Sequence, residues 1–551
     1  MRIHSGEGGK LAQQENALKL DYSPLGHAVV VALHFILLTL LYWQTTSFDY
    51  VYFDDAEYVI ENRVVSAGLT LDGVRWAFTT FAVSNWHPLT WLSHMLDVSL
   101  FGTSPVWAHI HNAVLHAFVS LLVYFFLIRL SASRVNACIL SLVFLVHPLH
   151  VESVAWIAER KDLLCALFYM IALLIYDSHR AAPSRSKYLG VLLCFILALL
   201  SKPMAVTLPV VLLLLDYFVY RHPTSIRDNQ EFMPRSWSYL ITEKVPFILL
   251  SGAACAVTVI AQDTGGSVAH LDAHGIAPRI YTAIMGYVKY LEQSLLPVEL
   301  AVYYPIGGFR SSTKLLVSAG IFLTLTGLGL WFARRLSLMS AGLAWYFVTL
   351  LPVIGLVQVS GQAHADRYMY IPSIGLLMAG LPILVLLQRK YLQLANALAV
   401  ILIAYLSLLS FWQIGYWKNQ QVLFSRALEV AGPNYKIHVH LAEGHLRYGA
   451  VEESRLQSMA ALELRPDLPA GYYRMGQVAL AEGEYGAAEH LFRATLTKGA
   501  PLPQVFNHLG IALILQDRLA EGLDAFREAL LLDPGNLVAR ENLARYTALP
   551  N

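Results

Sequence analysis

The chain has little charge and few cysteines for its length. Only 14% of its 551 residues are charged, against 56% that are hydrophobic, and the mean hydropathy is +0.51. This balance argues against a soluble or disordered protein and is typical of integral membrane proteins. The formal net charge of +1 leaves no strongly basic surface that would indicate nucleic acid as a partner.

The cysteines give neither a disulfide nor a metal-binding pattern. All four lie inside apolar runs, at Cys138, Cys165, Cys194 and Cys255, where a thiol behaves as a small hydrophobic side chain. The first apolar run follows a polar stretch that is not notably basic, and no small-residue cleavage site closes it. We therefore expect residues 1–26 to be a cytoplasmic tail and the first run to be a retained helix, not a removed signal peptide.

Eleven apolar runs approach the ~20 residues that span a bilayer. They lie at 27–44, 110–129, 135–148, 163–177, 187–201, 204–220, 246–261, 314–333, 338–358, 371–388 and 393–412. Basic residues cluster at alternate ends of these runs, and the positive-inside rule makes those ends cytoplasmic. The segment 281–296 is also apolar, but it carries Lys289 and Glu292, so we expect it to lie in the outer interface or to re-enter there.

This topology places polar motifs that are far apart in sequence on one face. They are FDDAE at 53–57, HPLHVE at 147–152, ERKD at 159–162, SKP at 201–203 and HADRY at 364–368. Polar residues that merely decorate an interface would scatter over both sides of the membrane. The convergence therefore indicates a functional site on the outer face.

Two carboxylates lie in the first outer loop, 44–107. Asp54 and Asp55 can supply a general base, since the like charge of one raises the proton affinity of the other. A helix cap or a surface turn is the alternative. His87 is on the same loop, among tryptophans whose first role is an interfacial belt.

Four cations on the predicted outer face are candidates for binding phosphate: Arg160, Lys161, Lys202 and Arg367. Snorkelling to the interface is the alternative, and for Arg367 a simple ion pair with its neighbour Asp366. Further candidate supporting residues are His147, His150, Glu152, Asp162, Asp366 and Tyr368. His147, His150 and Glu152 are of metal-ligating types, but no further ligand stands at a recognisable spacing, so we predict no metal site.

From residue 416 onward the apolar pattern repeats every 34 residues, the period of tetratricopeptide (TPR) helix pairs. The predicted repeats are 435–468, 469–502 and 503–536, preceded by a half repeat. The sequence thus predicts an all-α chain, a polytopic membrane bundle over 27–415 followed by a TPR solenoid over 416–551. Such an array presents a groove for peptide, or alternatively serves as a scaffold.

Several long motifs resemble a known family. The stretches FDDAEYVIENRVV (53–65), NWHPLTWLSHMLDVSLFG (85–102), HPLHVESVAWIAERKDLL (147–164), SKPMAVTLPVVLLLLDY (201–217) and ADRYMYIPSIG (365–375), followed by TPR repeats, look like bacterial relatives of the transmembrane and TPR repeat-containing (TMTC-type) protein O-mannosyltransferases. The resemblance covers nearly the whole chain beyond the first ~25 residues.

The resemblance implies a GT-C type glycosyltransferase. It would transfer a sugar, mannose or another hexose, from a polyprenyl-phosphate donor to Ser or Thr hydroxyls of a protein, with Asp54 or Asp55 as base and the four cations near the donor phosphate. No cofactor is required by this chemistry, although a divalent cation is compatible with it. The motif wording and the lack of an Asn-x-Ser/Thr sequon suggest a bacterial inner membrane with a periplasmic site. A glycan or lipid acceptor, or a non-enzymatic envelope scaffold, remains as an alternative.

Overall fold

The computed structural model describes residues 24–131, 133–221, 235–264, 276–306, 312–332, 336–356 and 362–548. These residues contain no strand, only an isolated antiparallel bridge between Pro305 and Gln362. The chain divides into two compact units, Met1–Lys418 and Asn419–Asn551. Residues 1–23 of the predicted cytoplasmic tail lie outside the described residues.

The described residues of the first unit are mainly helical. Its α-helices are α1 (Pro24–Tyr42), α2 (Arg63–Ser66), α3 (Leu71–Thr79), α4 (Pro88–Phe101), α5 (Pro105–Ser131), α6 (Arg134–Leu145), α7 (Val151–Ala155), α8 (Arg160–Ala181), α9 (Arg185–Ser201), α10 (Leu208–Leu215), α11 (Trp237–Thr264), α12 (Ile276–Leu295), α13 (Ser312–Trp331), α14 (Ser337–Leu350) and α15 (Pro372–Gly415).

Seven helical segments of the described chain are long and apolar enough to cross a membrane. They are Gly26–Ser47, Pro105–Ser131, Ile157–Ala181, Pro203–Tyr220, Trp237–Thr264, Thr313–Trp331 and Pro372–Gly415. A pair bent by 53°, Arg134–Leu145 with Pro148–Ala155, is an eighth candidate. These helices are those of a membrane protein.

The number of candidate spans is smaller than the eleven runs in the sequence for identifiable reasons. The runs at 371–388 and 393–412 both lie in α15, which counts as one candidate span although its backbone breaks between them at Tyr391 (φ −142°, ψ 59°) and its 44 residues are about twice the length that a bilayer requires. The run at 187–201 is the 17-residue helix α9, and that at 338–358 is the 14-residue α14. Both are short for a bilayer, so apolar length alone supports seven or eight spans.

The segment expected in the interface, 281–296, lies within α12, which is not among the candidate spans. One face of α12 is buried: Tyr287 and Tyr290 belong to an apolar cluster with Tyr346. The Tyr287 hydroxyl also donates to the Phe347 carbonyl at 2.8 Å. The outward residues of α12 are mixed, since the Glu292 side chain is 57% exposed and the apolar Ile280 and Leu295 are exposed as well. The position of this segment in the outer interface remains a prediction.

Helices α14 and α15 cross in direct backbone contact. A Cβ atom at Gly342 would lie 2.5 Å from the Ala379 nitrogen, and one at Gly375 would lie 2.6 Å from the Gly342 carbonyl oxygen. Backbone atoms cannot move aside as the end of a flexible side chain can. The two glycines therefore set the distance between these helices.

The long first loop packs on the bundle as short helices. Asn62 caps α2 and Thr70 caps α3 through their side chains. Helix α4 starts at Pro88, and the Thr90 hydroxyl donates to the Ser201 carbonyl at the end of α9, at 3.0 Å. The loop is thus fastened to the membrane helices at the end where the polar motifs lie.

The second unit is a series of antiparallel helix pairs. Its helices are α16 (Gln420–Ala431), α17 (Tyr435–Arg447), α18 (Val451–Leu464), α19 (Pro469–Ala481), α20 (Tyr485–Lys498), α21 (Pro503–Ile514), α22 (Leu519–Leu532) and α23 (Leu537–Thr547). The starts of α17, α19, α21 and α23 are 34 residues apart, so the helices follow the period found in the sequence. Their assignment as TPR repeats remains a prediction.

Inside these helix pairs, a large phenylalanine ring on one helix packs against a glycine on the other. A Cβ atom at Gly476 would lie 2.6 Å from the Phe492 ring, and one at Gly510 would lie 2.7 Å from the Phe526 ring. Both phenylalanines are fully buried. Each large ring therefore requires a glycine on the facing helix.

Candidate active site

Asp55 connects the first loop to the segment before α8. Its carboxylate accepts the backbone N–H of Val51 at 3.0 Å and that of Ala158 at 2.8 Å, and the side chain is fully buried. Burial raises the pKa of Asp55 to about 7, although both amide bonds act in the opposite direction. Because each carboxylate oxygen accepts a backbone N–H group, Asp55 fixes the first loop to the segment that precedes α8.

Asp54 is placed differently. Its side chain is partly exposed, and the residues that the structure describes give its carboxylate no hydrogen bond. Although the residue is partly exposed, loss of water around its carboxylate raises the pKa of Asp54 to about 6, against the opposing charges of Lys161 and Arg367. A carboxylate with this proton affinity and with free lone pairs is suited to accept a proton near neutral pH.

Three cations gather around one carboxylate, Glu159. Its Oε1 lies 3.0 Å from the Lys161 ammonium and its Oε2 lies 3.2 Å from the Lys202 ammonium. The Arg367 Nε is 3.4 Å from Oε1. Lys202 also pairs with Asp162 at 2.6 Å. The structure therefore brings three of the four predicted cations together.

Local chain geometry produces this gathering. Short turns at Pro148–His150 and Ile157–Glu159 flank α7, so that the chain changes direction twice before α8 begins at Arg160. Asn112 of α5 holds the segment, because its amide donates to the Val154 and Trp156 carbonyls at 3.3 and 3.2 Å. The charged residues of this stretch are therefore fixed in position before the helix starts.

Aromatic rings enclose the cations. Lys161 lies 4.8 Å from the centre of the Tyr58 ring and donates to its hydroxyl at 3.2 Å. Arg367 lies 5.3 Å from the Trp156 ring and 5.0 Å from the Tyr368 ring. Such rings hold a cation in place without cancelling its charge. The enclosure limits water at the site and strengthens its electrostatic interactions.

Arg160 does not join this cluster. It points to the other side, where it pairs with Asp97 and donates to Asn112 at 2.8 Å and to the Ala108 carbonyl at 3.0 Å. The side chain has no exposed surface. Its partners are all within the protein, so its position fits a structural role in holding α4, α5 and α8 together, whereas the sequence placed it with the phosphate-binding cations.

Asp366 and Arg367 do not pair with each other, which was the simplest alternative. Arg367 forms its closest ion pair with Glu152, which also accepts the Arg367 backbone N–H at 3.0 Å. Asp366 instead accepts the Tyr304 hydroxyl at 2.9 Å and is buried. Burial raises the pKa of Asp366 well above its usual range. Asp366 thus belongs to a hydrogen-bond network with Tyr304, whereas its neighbour Arg367 pairs with Glu152 and Glu159.

The two histidines of the HPLH motif bind backbone and a serine. His147 accepts the Leu149 N–H through Nδ1 at 3.2 Å, and its Nε2 bonds the Ser294 carbonyl at 3.1 Å. His150 contacts the Phe144 carbonyl at 2.7 Å and the Ser373 hydroxyl at 3.0 Å. These bonds hold neighbouring segments and leave neither ring for a ligand.

His87 lies at the edge of the cation cluster. Its ring packs 5.5 Å from Tyr58 and 4.9 Å from Trp91 and is almost fully buried. Burial, and next the charge of Lys161, lower the pKa of His87 well below its usual value. His87 is therefore neutral at physiological pH.

Among the described residues, no group of three His, Cys, Asp or Glu side chains lies close enough to hold a metal ion. Glu152, Glu159 and Asp162 each pair with a resident cation. The positive charge at this site is therefore supplied by the fixed ammonium groups of Lys161 and Lys202 and the guanidinium group of Arg367.

The motifs did not reveal which residue is central. In the sequence, Glu159 is only the first residue of the ERKD motif. Its position directly before two basic residues was the one feature that could have indicated an ion-pairing role. Tyr58 and Trp156 gave no signal, because aromatic residues are common near membrane interfaces.

The fold and site therefore define a helical membrane protein with a buried, charged site where its first loop meets the bundle. No family model matches the chain. It is similar to the protein O-mannosyl-transferase F38B6.6 of Caenorhabditis elegans, with 26% identity over 441 residues (76% of this chain, 60% of the relative). It is also similar to the human protein O-mannosyl-transferases TMTC4 (24%; 72% of this chain, 61% of the relative) and TMTC3 (22%; 90% and 60%). The chain thus matches about 60% of the length of these relatives.

Proposed function

We propose that this protein is a membrane glycosyltransferase of the GT-C type that moves a hexose from a polyprenyl-phosphate donor to a Ser or Thr hydroxyl of a protein acceptor. The observation that supports it most is the carboxylate of Asp54, which accepts no hydrogen bond from the described residues and lies in the field of two of the enclosed cations, Lys161 and Arg367. The printed names of the similar proteins support the same reaction class.

Asp54 is the base in this proposal, and Asp55 is a positioning residue. The Asp54 carboxylate takes the proton of the acceptor hydroxyl as the oxygen attacks the anomeric carbon of the sugar. The new glycosidic bond forms while the bond to the phosphate oxygen breaks. Asp55 cannot take this role without releasing the Val51 or Ala158 amide.

The leaving phosphate is stabilised by Lys161, Lys202 and Arg367. Their charges are balanced in the free protein by Glu159 and its neighbouring carboxylates, so the donor phosphate competes with Glu159 for them. Lys202 has the most exposed side chain of the three, at 13%. We assign it the first contact with the donor phosphate. No divalent cation is needed in this scheme.

The helix pairs of the second unit bind the acceptor protein. Arrays of such pairs commonly present grooves for peptide. The scheme places the site and this unit in a periplasm, with the amino terminus in the cytoplasm, as the distribution of basic residues indicates.

The test is sugar transfer by the full chain reconstituted in liposomes. Polyprenyl-phosphate mannose and glucose are supplied with Ser- and Thr-containing peptides, and modified peptides are detected by intact mass. We expect a hexose mass from the wild type and a 10²- to 10⁴-fold slower reaction, on the order expected for loss of a general base, from Asp54→Asn. Asp72→Asn, a change at an exposed aspartate of the same loop, is the matched control.

Equal rates for Asp54→Asn and Asp72→Asn would remove Asp54 from the mechanism. Absence of transfer by the wild type from every donor would favour the scaffold alternative. Transfer to lipid alone, retained after removal of residues 419–551, would exclude a protein acceptor.

A further inference from the structure

A surface groove lies at the opposite end of α8 from the candidate active site. It has a volume of about 280 Å³ and lies between α5, α8 and α9. Ser178, at this end, is 18 residues from Arg160, where α8 begins, which corresponds to ~27 Å along the helix. The lining residues are Leu122, Arg129, Ile171, Leu174, Ile175, Ser178 and Lys187.

The wall of the groove is an apolar stripe. Ile171, Leu174 and Ile175 of α8 are partly exposed, at the i, i+3 and i+4 positions of one helical face, while the other faces of α8 are buried in the bundle. Both α8 and α5 belong to segments long and apolar enough to cross a membrane. A stripe on such helices faces hydrocarbon, and what fills a groove there is an acyl chain.

The end of the groove is basic. The Arg129 side chain is 39% exposed and its Nη1 donates to Asp177 at 3.1 Å and to the Ser178 hydroxyl at 2.9 Å. The Lys187 ammonium donates to the Ser178 and Ala182 carbonyls at 2.9 and 2.8 Å. Within the part of the chain that the structure describes, Lys187 pairs with no carboxylate.

The two cations that line the groove, Arg129 and Lys187, therefore have one carboxylate between them, Asp177, whose side chain is 6% exposed. The distribution of basic residues also predicts this end of the bundle to be cytoplasmic. Anionic phospholipids are concentrated in cytoplasmic leaflets and are drawn to basic residues at the membrane boundary.

We propose that this groove binds one anionic diacyl phospholipid. Its phosphate lies at Arg129 and Lys187, and one acyl chain runs along Leu122, Leu174 and Ile175. The seven residues from Leu122 to Arg129 correspond to ~10 Å of helix, so the apolar wall follows the first part of the chain. The site is separate from the candidate active site and does not depend on the proposed reaction.

The experiment measures lipid binding to the purified full chain by native mass spectrometry, with phosphatidylglycerol or phosphatidylcholine added in turn. We expect tighter binding of phosphatidylglycerol. Each of Arg129→Gln and Lys187→Gln should weaken it about fivefold and the double variant about 25-fold, as expected for ~1 kcal/mol per cation. Arg389 and Lys390 lie between the runs 371–388 and 393–412, at an end that the positive-inside rule also makes cytoplasmic. The double variant Arg389→Gln, Lys390→Gln, which removes the same charge there, should bind as the wild type does.

A third variant tests the wall without changing charge. Leu174→Trp fills the groove while Arg129 keeps its pair with Asp177, so it remains informative should the Arg129 variants fold poorly. It should lower phosphatidylglycerol binding to the level of phosphatidylcholine. Equal wild-type affinity for the two lipids, or unchanged phosphatidylglycerol binding in both Lys187→Gln and Leu174→Trp, would overturn the proposal. Polyprenyl phosphate that displaces phosphatidylglycerol from this groove would also overturn it.

Discussion

Replacing Asp55 by Asn should loosen the first loop, whereas the same change at Asp54 should not. The Asp55 carboxylate accepts two backbone N–H groups, from Val51 and Ala158. An Asn side chain has only one acceptor oxygen, and its NH₂ group would face the other backbone N–H. A buried donor left without an acceptor costs about 1–3 kcal/mol.

The assay is hydrogen–deuterium exchange of the reconstituted protein, followed on peptides that contain Val51 and Ala158. A loss of about 2 kcal/mol corresponds to exchange about 30-fold faster where these amides exchange by local opening. Asp54→Asn should leave both peptides as protected as in the wild type. Unchanged exchange in Asp55→Asn, or faster exchange in Asp54→Asn alone, would refute the assignment of Asp55 as the positioning residue and of Asp54 as the base.

Three further predictions concern the pH dependence and the packing. The transfer rate should fall as the pH drops through about 6, because Asp54 must be deprotonated to act as base and its pKa is raised to about 6; a pH–rate profile without that limb would contradict the role. Gly342→Ala should lower the thermal midpoint, because the new Cβ meets the backbone of α15, whereas Gly380→Ala, with nothing within 4 Å, should not; thermal unfolding in detergent compares them. Phe492→Ala should destabilise the second unit by about 3–5 kcal/mol and Leu531→Ala, at a side chain 74% exposed, by far less; equal thermal shifts would show that the ring is not a core residue.

The helical architecture follows from local patterns that a sequence displays. Apolar length indicates helices that can cross a membrane, and a period of 34 residues appears again in the starts of α17, α19, α21 and α23. The break at Tyr391 within α15 falls between the runs 371–388 and 393–412, so the apolar pattern located it. The number of spans is harder to predict, because an apolar run does not show how long its helix will be: the runs 187–201 and 338–358 form α9 and α14, of 17 and 14 residues.

Side-chain direction is what the sequence could not supply for the site. Arg160 and Lys161 are adjacent and equally basic, yet consecutive helical residues point ~100° apart. One contacts Asp97 and the other Glu159. The same limit applied to Asp54 and Asp55, whose different roles depend on which carboxylate meets the amides of Val51 and Ala158.

The most direct test of the account is sugar transfer by Asp54→Asn to azide, a nucleophile that is already ionised and needs no base. With a polyprenyl-phosphate hexose that the wild type uses, we expect this variant to lose transfer to Ser and Thr hydroxyls while it forms a glycosyl azide. That outcome would show an intact donor site that lacks only its base. Transfer to hydroxyls at the wild-type rate, or no product with either nucleophile from a variant whose fold and donor binding are intact, would contradict the role of Asp54.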